Sequence, residues 1–232
     1  MNILAIDTAT KLEIISANTE KLSFGISETM DISHSRSLFS NIDKCLNEIN
    51  LNIGDIECIG VGIGPGSFTG IRIAVTTARM LAQLLKIPLV GIFTHDIFAN
   101  SISVNNDENI LVAFDAKKTR VFGALYDKSA NTNLLKILVS PGDHSIEHLL
   151  KNANKEKKLI TIGDGSEKYM DYILSQYNDV THIKNFMPNY SQLCKLINDT
   201  YNSDPNRYTD FSKTVPFYAR KSDAEIAKSS EQ

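Results

Sequence analysis

The chain has 232 residues, 42% of them hydrophobic, and a formal net charge of −3. That is enough apolar material for a sizeable core in one larger or two small domains, and the lack of a Lys/Arg run interleaved with aromatics argues against autonomous nucleic-acid binding. No stretch approaches the ~20 apolar residues needed to cross a bilayer, so the expectation is a cytoplasmic protein with no membrane contact.

In chain order, the apolar run over 2–7 predicts a buried strand ending at Asp7. Residues 12–17 and 22–27 predict two more, the last alternating Leu22, Phe24 and Ile26 with Ser23, Gly25 and Ser27. From residue 35 the period lengthens, and Leu38, Phe39, Ile42, Cys45, Leu46 and Ile49 recur at helical spacing up to residue 50. Residues 58–63 predict a fourth strand, 70–85 a second helix, 89–92 a short fifth strand entered through Pro88, and 93–103 a third helix. The run Asn105-Asn106-Asp107-Glu108-Asn109 is too polar for a core and marks a domain boundary. Beyond it, 110–115, 121–126 and 134–139 predict three strands, 145–152 a helix, and 159–162 and 166–177 a further strand and helix. The three cysteines, Cys45, Cys58 and Cys194, lie in apolar segments without close neighbours and read as packed thiols.

The stretch Gly64-Pro65-Gly66-Ser67-Phe68-Thr69-Gly70-Ile71-Arg72 closes the fourth strand and opens the second helix. A glycine-rich turn at a helix start can hold an anion on free N–H groups, so phosphate binding is its first functional reading. Known spacings weaken it. A P-loop needs Gly-Lys-Ser/Thr where Gly70 is followed by Ile71, and a dinucleotide fingerprint read from Gly62 meets Ser67 in place of its last glycine. A nucleophile elbow at Ser67 would need glycine where Pro65 stands, and no general base is identifiable for a peptidase. The competing reading is a tight turn that lets the helix pack closely on the sheet.

Leu4-Ala5-Ile6-Asp7-Thr8-Ala9 aligns without gaps with Val112-Ala113-Phe114-Asp115-Ala116-Lys117, and strand, strand, strand, helix recurs after each. The inference is an α/β chain of two tandem ribonuclease H-like lobes, 1–104 and 105–232, with the tail after about 203 packing back on the first. Such a pair resembles the actin, sugar kinase and Hsp70 superfamily. That resemblance implies ATP between the lobes, with phosphates on the first hairpin of each. Here Asp7-Thr8-Ala9-Thr10 has hydroxyls and a carboxylate suited to hydrated magnesium, whereas Asp115-Ala116-Lys117-Lys118 has no glycine. Of twelve glycines none follows Gly165, which leaves Gly163-Asp164-Gly165 as the last candidate for adenosine, and it reads more simply as a loop with Asp164 or Ser166 capping a helix. No metal site is expected: His34 meets Leu38 one turn on, and His144 and His148, one turn apart, lack a third ligand.

Four segments together, Asp7-Thr8-Ala9-Thr10, the loop from Gly64 to Arg72, Phe114-Asp115-Ala116-Lys117-Lys118-Thr119-Arg120-Val121-Phe122 and Pro216-Phe217-Tyr218-Ala219-Arg220, resemble the TsaB, or YeaZ, family in the family's order. The resemblance implies a role in making threonylcarbamoyladenosine beside the anticodon of tRNAs. It implies a non-catalytic subunit that binds the catalytic subunit TsaD, joins an ATPase, TsaE, in a larger complex, pairs with itself when alone, and meets tRNA only indirectly. ATP, ADP and metal then belong to the partner subunits and no cofactor to this chain. The loop residues Asp7, Thr8, Thr10, Gly64, Gly66, Ser67, Thr69, Gly70 and Arg72 become structural, with phosphate contact left open. The alternative, from Asp7, Thr8 and the repeat, is an actin-like-fold small-molecule kinase using ATP and magnesium.

A partner surface is expected on the first two helices. Ile71, Ala74, Val75, Ala78, Leu81, Ala82 and Leu85 form one apolar face of the second helix, while Ile73, Met80 and Leu84 are apolar on another. A helix on a sheet needs one apolar face, so the surplus points to a second contact. Ala74, Ala78 and Ala82 would leave a shallow groove for another helix, unless the third helix of the same lobe covers it. Leu38, Phe39 and Ile42 would extend the patch.

Overall fold

A computed structural model of the chain describes residues 1–29, 37–103, 108–128 and 135–220. In the first half, β1 (Ile3–Asp7), β2 (Leu12–Asn18) and β3 (Ser23–Thr29) form an antiparallel meander, followed by α1 (Leu38–Glu48), β4 (Cys58–Gly62), α2 (Phe68–Leu85), β5 (Leu89–Ile92) and α3 (Thr94–Asn100). The second half has β6 (Glu108–Asp115), β7 (Val121–Lys128), β8 (Leu135–His144), α4 (Ile146–Lys151), β9 (Lys158–Ile162), α5 (Asp164–Lys168), α6 (Met170–Gln176) and β10 (Val180–Ile183). Two further helices follow, α7 (Tyr190–Ser203) and α8 (Pro205–Tyr208).

The strand orders are β3-β2-β1-β4-β5 and, in reverse, β10-β9-β6-β7-β8, so each sheet has an antiparallel meander on one side of its first strand and parallel strands on the other. This is the two-lobed α/β fold expected from the repeat, with one ribonuclease H-like sheet in each half. Both faces of each sheet are covered, which is why β1, β4 and β6 read as continuous apolar runs.

Alternation along β1 sends Leu4 and Ile6 outward to α1 and α2, and Ile3 and Ala5 inward. On β6, Ile110 and Val112 face the same inner layer, and Leu111 and Ala113 face α4 and α6. The inner layer is α3 and α7, packed against each other and exchanged between halves: α3 packs on β6, β7 and β8, while α7 packs on β1, β2, β3 and β5. The return of the chain to the first sheet therefore begins with α7, ahead of residue 203.

Several local expectations change. Residues 104–107 lie outside the described residues, but Glu108 and Asn109, read as boundary, open β6 and are buried, with Asn109 Nδ2 donating to the Asn154 carbonyl at 3.1 Å. The helix expected over 166–177 is two helices, broken at Tyr169. Neither Asp164 nor Ser166 caps α5, because Asp164 Oδ1 accepts from the Asp115 N–H at 2.9 Å and Ser166 Oγ donates to the Ile162 carbonyl at 2.9 Å. His34, Ser35 and Leu134 lie outside the described residues.

Glu13, buried on β2, anchors α1: Ser37 Oγ and Asn41 Nδ2 donate to its carboxylate at 3.0 and 2.8 Å. A carboxylate beneath a helix N-terminus is well placed against the helix dipole.

Candidate functional site

The four segments that carry the family resemblance meet at one end of the molecule, beyond the carboxyl ends of the parallel strands. The turn after β1 is braced by its own side chains. Asp7, 1% exposed, accepts the Ala9 N–H on Oδ1 at 2.7 Å, and the Leu12 N–H reaches Thr10 Oγ1 at 3.0 Å.

The glycine loop lies directly on this turn. Ser67 N–H donates to the Ala9 carbonyl at 2.6 Å, and Thr8 Oγ1 donates to the Gly70 carbonyl at 2.6 Å. A Cβ on Gly66 would strike the Ala9 carbonyl, and one on Gly70 the Thr8 carbonyl. These glycines therefore permit backbone-to-backbone contact. Ser67 caps α2, its Oγ accepting from the Gly70 N–H at 3.2 Å, and the Gly64 carbonyl accepts from Thr94 N–H at 2.9 Å. Thr69 is exposed on the first turn of α2. At this turn loop and hairpin engage the Ser67 N–H, the Thr8 hydroxyl and the Ala9 and Gly70 carbonyls with each other.

The C-terminal segment closes over the loop. Phe217 N–H donates to the Ile63 carbonyl at 2.8 Å, and the Phe217 ring meets Phe93 edge-on at 5.1 Å. Tyr218 stacks on Phe68 with centroids 4.3 Å apart. Arg72 Nε donates to Tyr218 Oη at 2.9 Å, with its guanidinium 4.1 Å above the Phe68 ring.

The turn after β6 differs from its counterpart after β1. Lys117, Lys118 and Thr119 all have positive φ, 62°, 48° and 60°. The Asp115 carboxyl, which burial alone would push up, is held below the usual carboxylate range by Lys168 and Lys117, with Lys168 Nζ 2.9 Å away.

Between the lobes lies a cavity of about 470 Å³ whose apolar wall includes Phe98, Phe114, Phe122 and Phe186. Each lysine on its lining faces a carboxylate: Lys11 pairs with Asp164 across the lobes at 3.0 Å, Lys117 with Asp115 at 3.8 Å and Lys184 with Glu167 at 3.6 Å. All three lysines are largely exposed, so these are weak surface pairs.

Behind the cavity, α3 is fixed to β7 by two consecutive side chains. His95, fully buried, donates its Nε2–H to the Phe122 carbonyl at 2.9 Å, and burial pushes its pKa down to about 4. Asp96 accepts from Tyr126 Oη at 2.7 Å; burial raises its pKa, against the opposing effect of that bond. Burial also pushes the Cys45 and Cys58 thiols up to about 12, so neither is a nucleophile near neutral pH. His144 and His148 stack at 5.3 Å, and among the described residues no group of three or more His, Cys, Asp or Glu could hold a metal ion.

The expected partner face is corrected. Leu38, Ile42, Ile71, Ala74, Val75, Ala78 and Ala82 are buried in the core between α1, α2 and the first sheet. The alanines let α2 approach its own sheet, and α3 lies on the far side of that sheet. What the two helices expose is Phe39, 51% exposed, with Met80 at 44% and Leu84 at 71%. His95, Asp96, Tyr126 and α7 were missed. The spacing of Tyr190, Leu193, Cys194 and Ile197 is a helical signal within α7.

Among the described residues no helix is long and apolar enough to cross a membrane. A family model described as "TsaD: tRNA N6-adenosine threonylcarbamoyltransferase" matches residues 26–228. The tRNA threonylcarbamoyladenosine biosynthesis protein TsaB of Buchnera aphidicola subsp. Schizaphis graminum is 32% identical over 176 residues, covering 72% of this chain and 80% of that protein. TsaB of Escherichia coli K12 is 30% identical over 132 residues, 56% of this chain and 57% of that protein. In fold, YeaZ from Pseudomonas aeruginosa superposes with a TM-score of 0.78 at 20% identity, covering 94% of this chain and 99% of that one. With its four motif segments gathered at one site, the chain belongs to the TsaD-type family and, within it, to TsaB (YeaZ).

Proposed function

We propose that this chain is the non-catalytic subunit of a tRNA threonylcarbamoyladenosine-forming complex and acts by binding a TsaD-like catalytic subunit. The observation that carries this reading is the pairing of a nucleotide-type loop closed onto its own hairpin with an outer helical face that leaves Phe39, Met80 and Leu84 exposed. In this reading the loop is structural and the subunit contributes by shape, for which large exposed apolar side chains on neighbouring helices are the usual means. The match of a TsaD model to this chain supports a partner of related fold, which could meet it through equivalent helices in a near-symmetric contact. In this reading a TsaE-like ATPase joins the pair, ATP, ADP and metal sit on the partner subunits, tRNA is met through the assembled complex, and the chain pairs with itself when alone.

The test is co-purification with TsaD from the same species, followed by sizing: one stable heterodimer is expected, and two separately eluting proteins would refute the proposal. Calorimetry with ATP and magnesium on the isolated chain separates it from a kinase, which would bind in the micromolar range.

A further inference from the structure

The outer surface of α2 is divided. At 3.6 residues per turn, Ile73, Met80 and Leu84 fall within about 40° of one another and form an apolar edge. Arg72 and Arg79 fall about 20° apart, roughly 100° round the helix from the apolar edge and about 10.5 Å apart along the axis. The helix contains no acidic residue. Among the described residues no carboxylate pairs with either guanidinium; Arg72 is held by Tyr218 and Phe68, and Arg79 is half-buried.

We infer that the basic edge of α2, with Arg72 fixed by Tyr218, docks an acidic amphipathic helix of the partner subunit whose carboxylates stand about two turns apart. This rests on the partner-binding reading above and adds the chemistry of the partner. Charge complementarity selects the occupant: two cations on one face about two turns apart, on a helix without acids, favour carboxylates at the same rise, and guanidinium binds carboxylate through two parallel hydrogen bonds. Preorganisation supports it, because the ring of Phe68 and the hydroxyl of Tyr218 restrict the Arg72 side chain before binding and lower the ordering cost. The C-terminal segment thus becomes part of the docking site, 146 residues from the arginine it positions. A second copy is a poorer occupant, since its α2 presents the same arginines and its α1 sets Lys44 beside Asp43.

Calorimetric titration of the TsaD-like partner into the full-length chain tests this. The double variant Arg72→Glu, Arg79→Glu is expected to bind at least tenfold more weakly than wild type, with a flatter dependence on salt. Tyr218→Phe is expected to weaken binding severalfold, and Lys151→Glu, which reverses a charge on α4, to leave it unchanged. Melting temperatures confirm that each variant folds; a double variant that did not fold would be replaced by Arg72→Gln, Arg79→Gln, read against the same tenfold mark. Wild-type binding with the double variant within twofold overturns the inference while leaving partner binding intact. Loss of self-association with unchanged partner affinity overturns it in favour of a second copy. No binding by the wild-type chain removes the partner reading itself.

Discussion

The Ser67 N–H donates to the carbonyl of Ala9 at 2.6 Å, tying the start of α2 to the turn after β1. The contact is backbone to backbone, and Gly66 admits it because a Cβ there would strike the same Ala9 carbonyl. It also makes the first two motif segments a single structural unit.

Gly70→Ala should destabilise the protein by roughly 2–3 kcal/mol, since the added methyl meets the Thr8 carbonyl and neither backbone can yield cheaply. Gly54→Ala, where a Cβ would meet nothing within 4 Å, should change stability by less than about 0.5 kcal/mol. Urea denaturation followed by circular dichroism compares the two.

Stability should fall on acidification between pH 6.5 and about 4, because His95 is neutral and buried in the fold but protonates in the unfolded chain. Over that window the unfolded state binds more protons, so unfolding becomes easier as pH drops, by on the order of 1.4 kcal/mol per pH unit at most. Asp96 works the other way: its raised folded pKa gives stability that is present at low pH and lost as pH rises, which moderates the acid end of the curve. Melting temperatures of wild type and His95→Gln across this range check the claim, and the variant should show the shallower slope.

Tyr126→Phe should cost about 1–2 kcal/mol, because it strips the donor from a part-buried Asp96 carboxylate. Combining it with Asp96→Leu should recover part of the loss if the unsatisfied charge is its cause, a comparison for a double-mutant cycle in guanidinium.

Leu84→Ser, at a side chain 71% exposed, should leave the melting temperature unchanged and weaken partner binding at least tenfold, about 1.4 kcal/mol. Ala78→Leu should do the reverse in kind, destabilising the chain by roughly 1–3 kcal/mol through overpacking against its own sheet. Paired melting and calorimetry distinguish these effects.

Much of the fold was legible because buried strands such as β1, β4 and β6 announce themselves as apolar runs, and the repeat around Asp7 and Asp115 named the architecture. The second helix was legible as a helix but not in its orientation. Both of its faces are apolar, and only the proximity of the sheet decides that the small residues Ala74, Ala78 and Ala82 turn inward while Met80 and Leu84 stay outside. The glycine loop was placed correctly, yet nothing local in its spacing reveals that the carbonyls of Thr8 and Ala9 press against it. In α7 only Leu193 and Ile197 are buried, and the short stripe they form with Tyr190 and Cys194 is embedded in an otherwise polar helix.

The exchange of α3 and α7 bears on how the chain can be made. The first sheet is complete when β5 ends at Ile92, but the helix that covers its inner face begins only at Tyr190. At roughly 5–20 residues per second, the ribosome leaves that greasy wall bare for several seconds or longer. A nascent chain stalled in this interval would be prey for chaperones and proteases, and neither half should be obtainable alone as a well-behaved fragment.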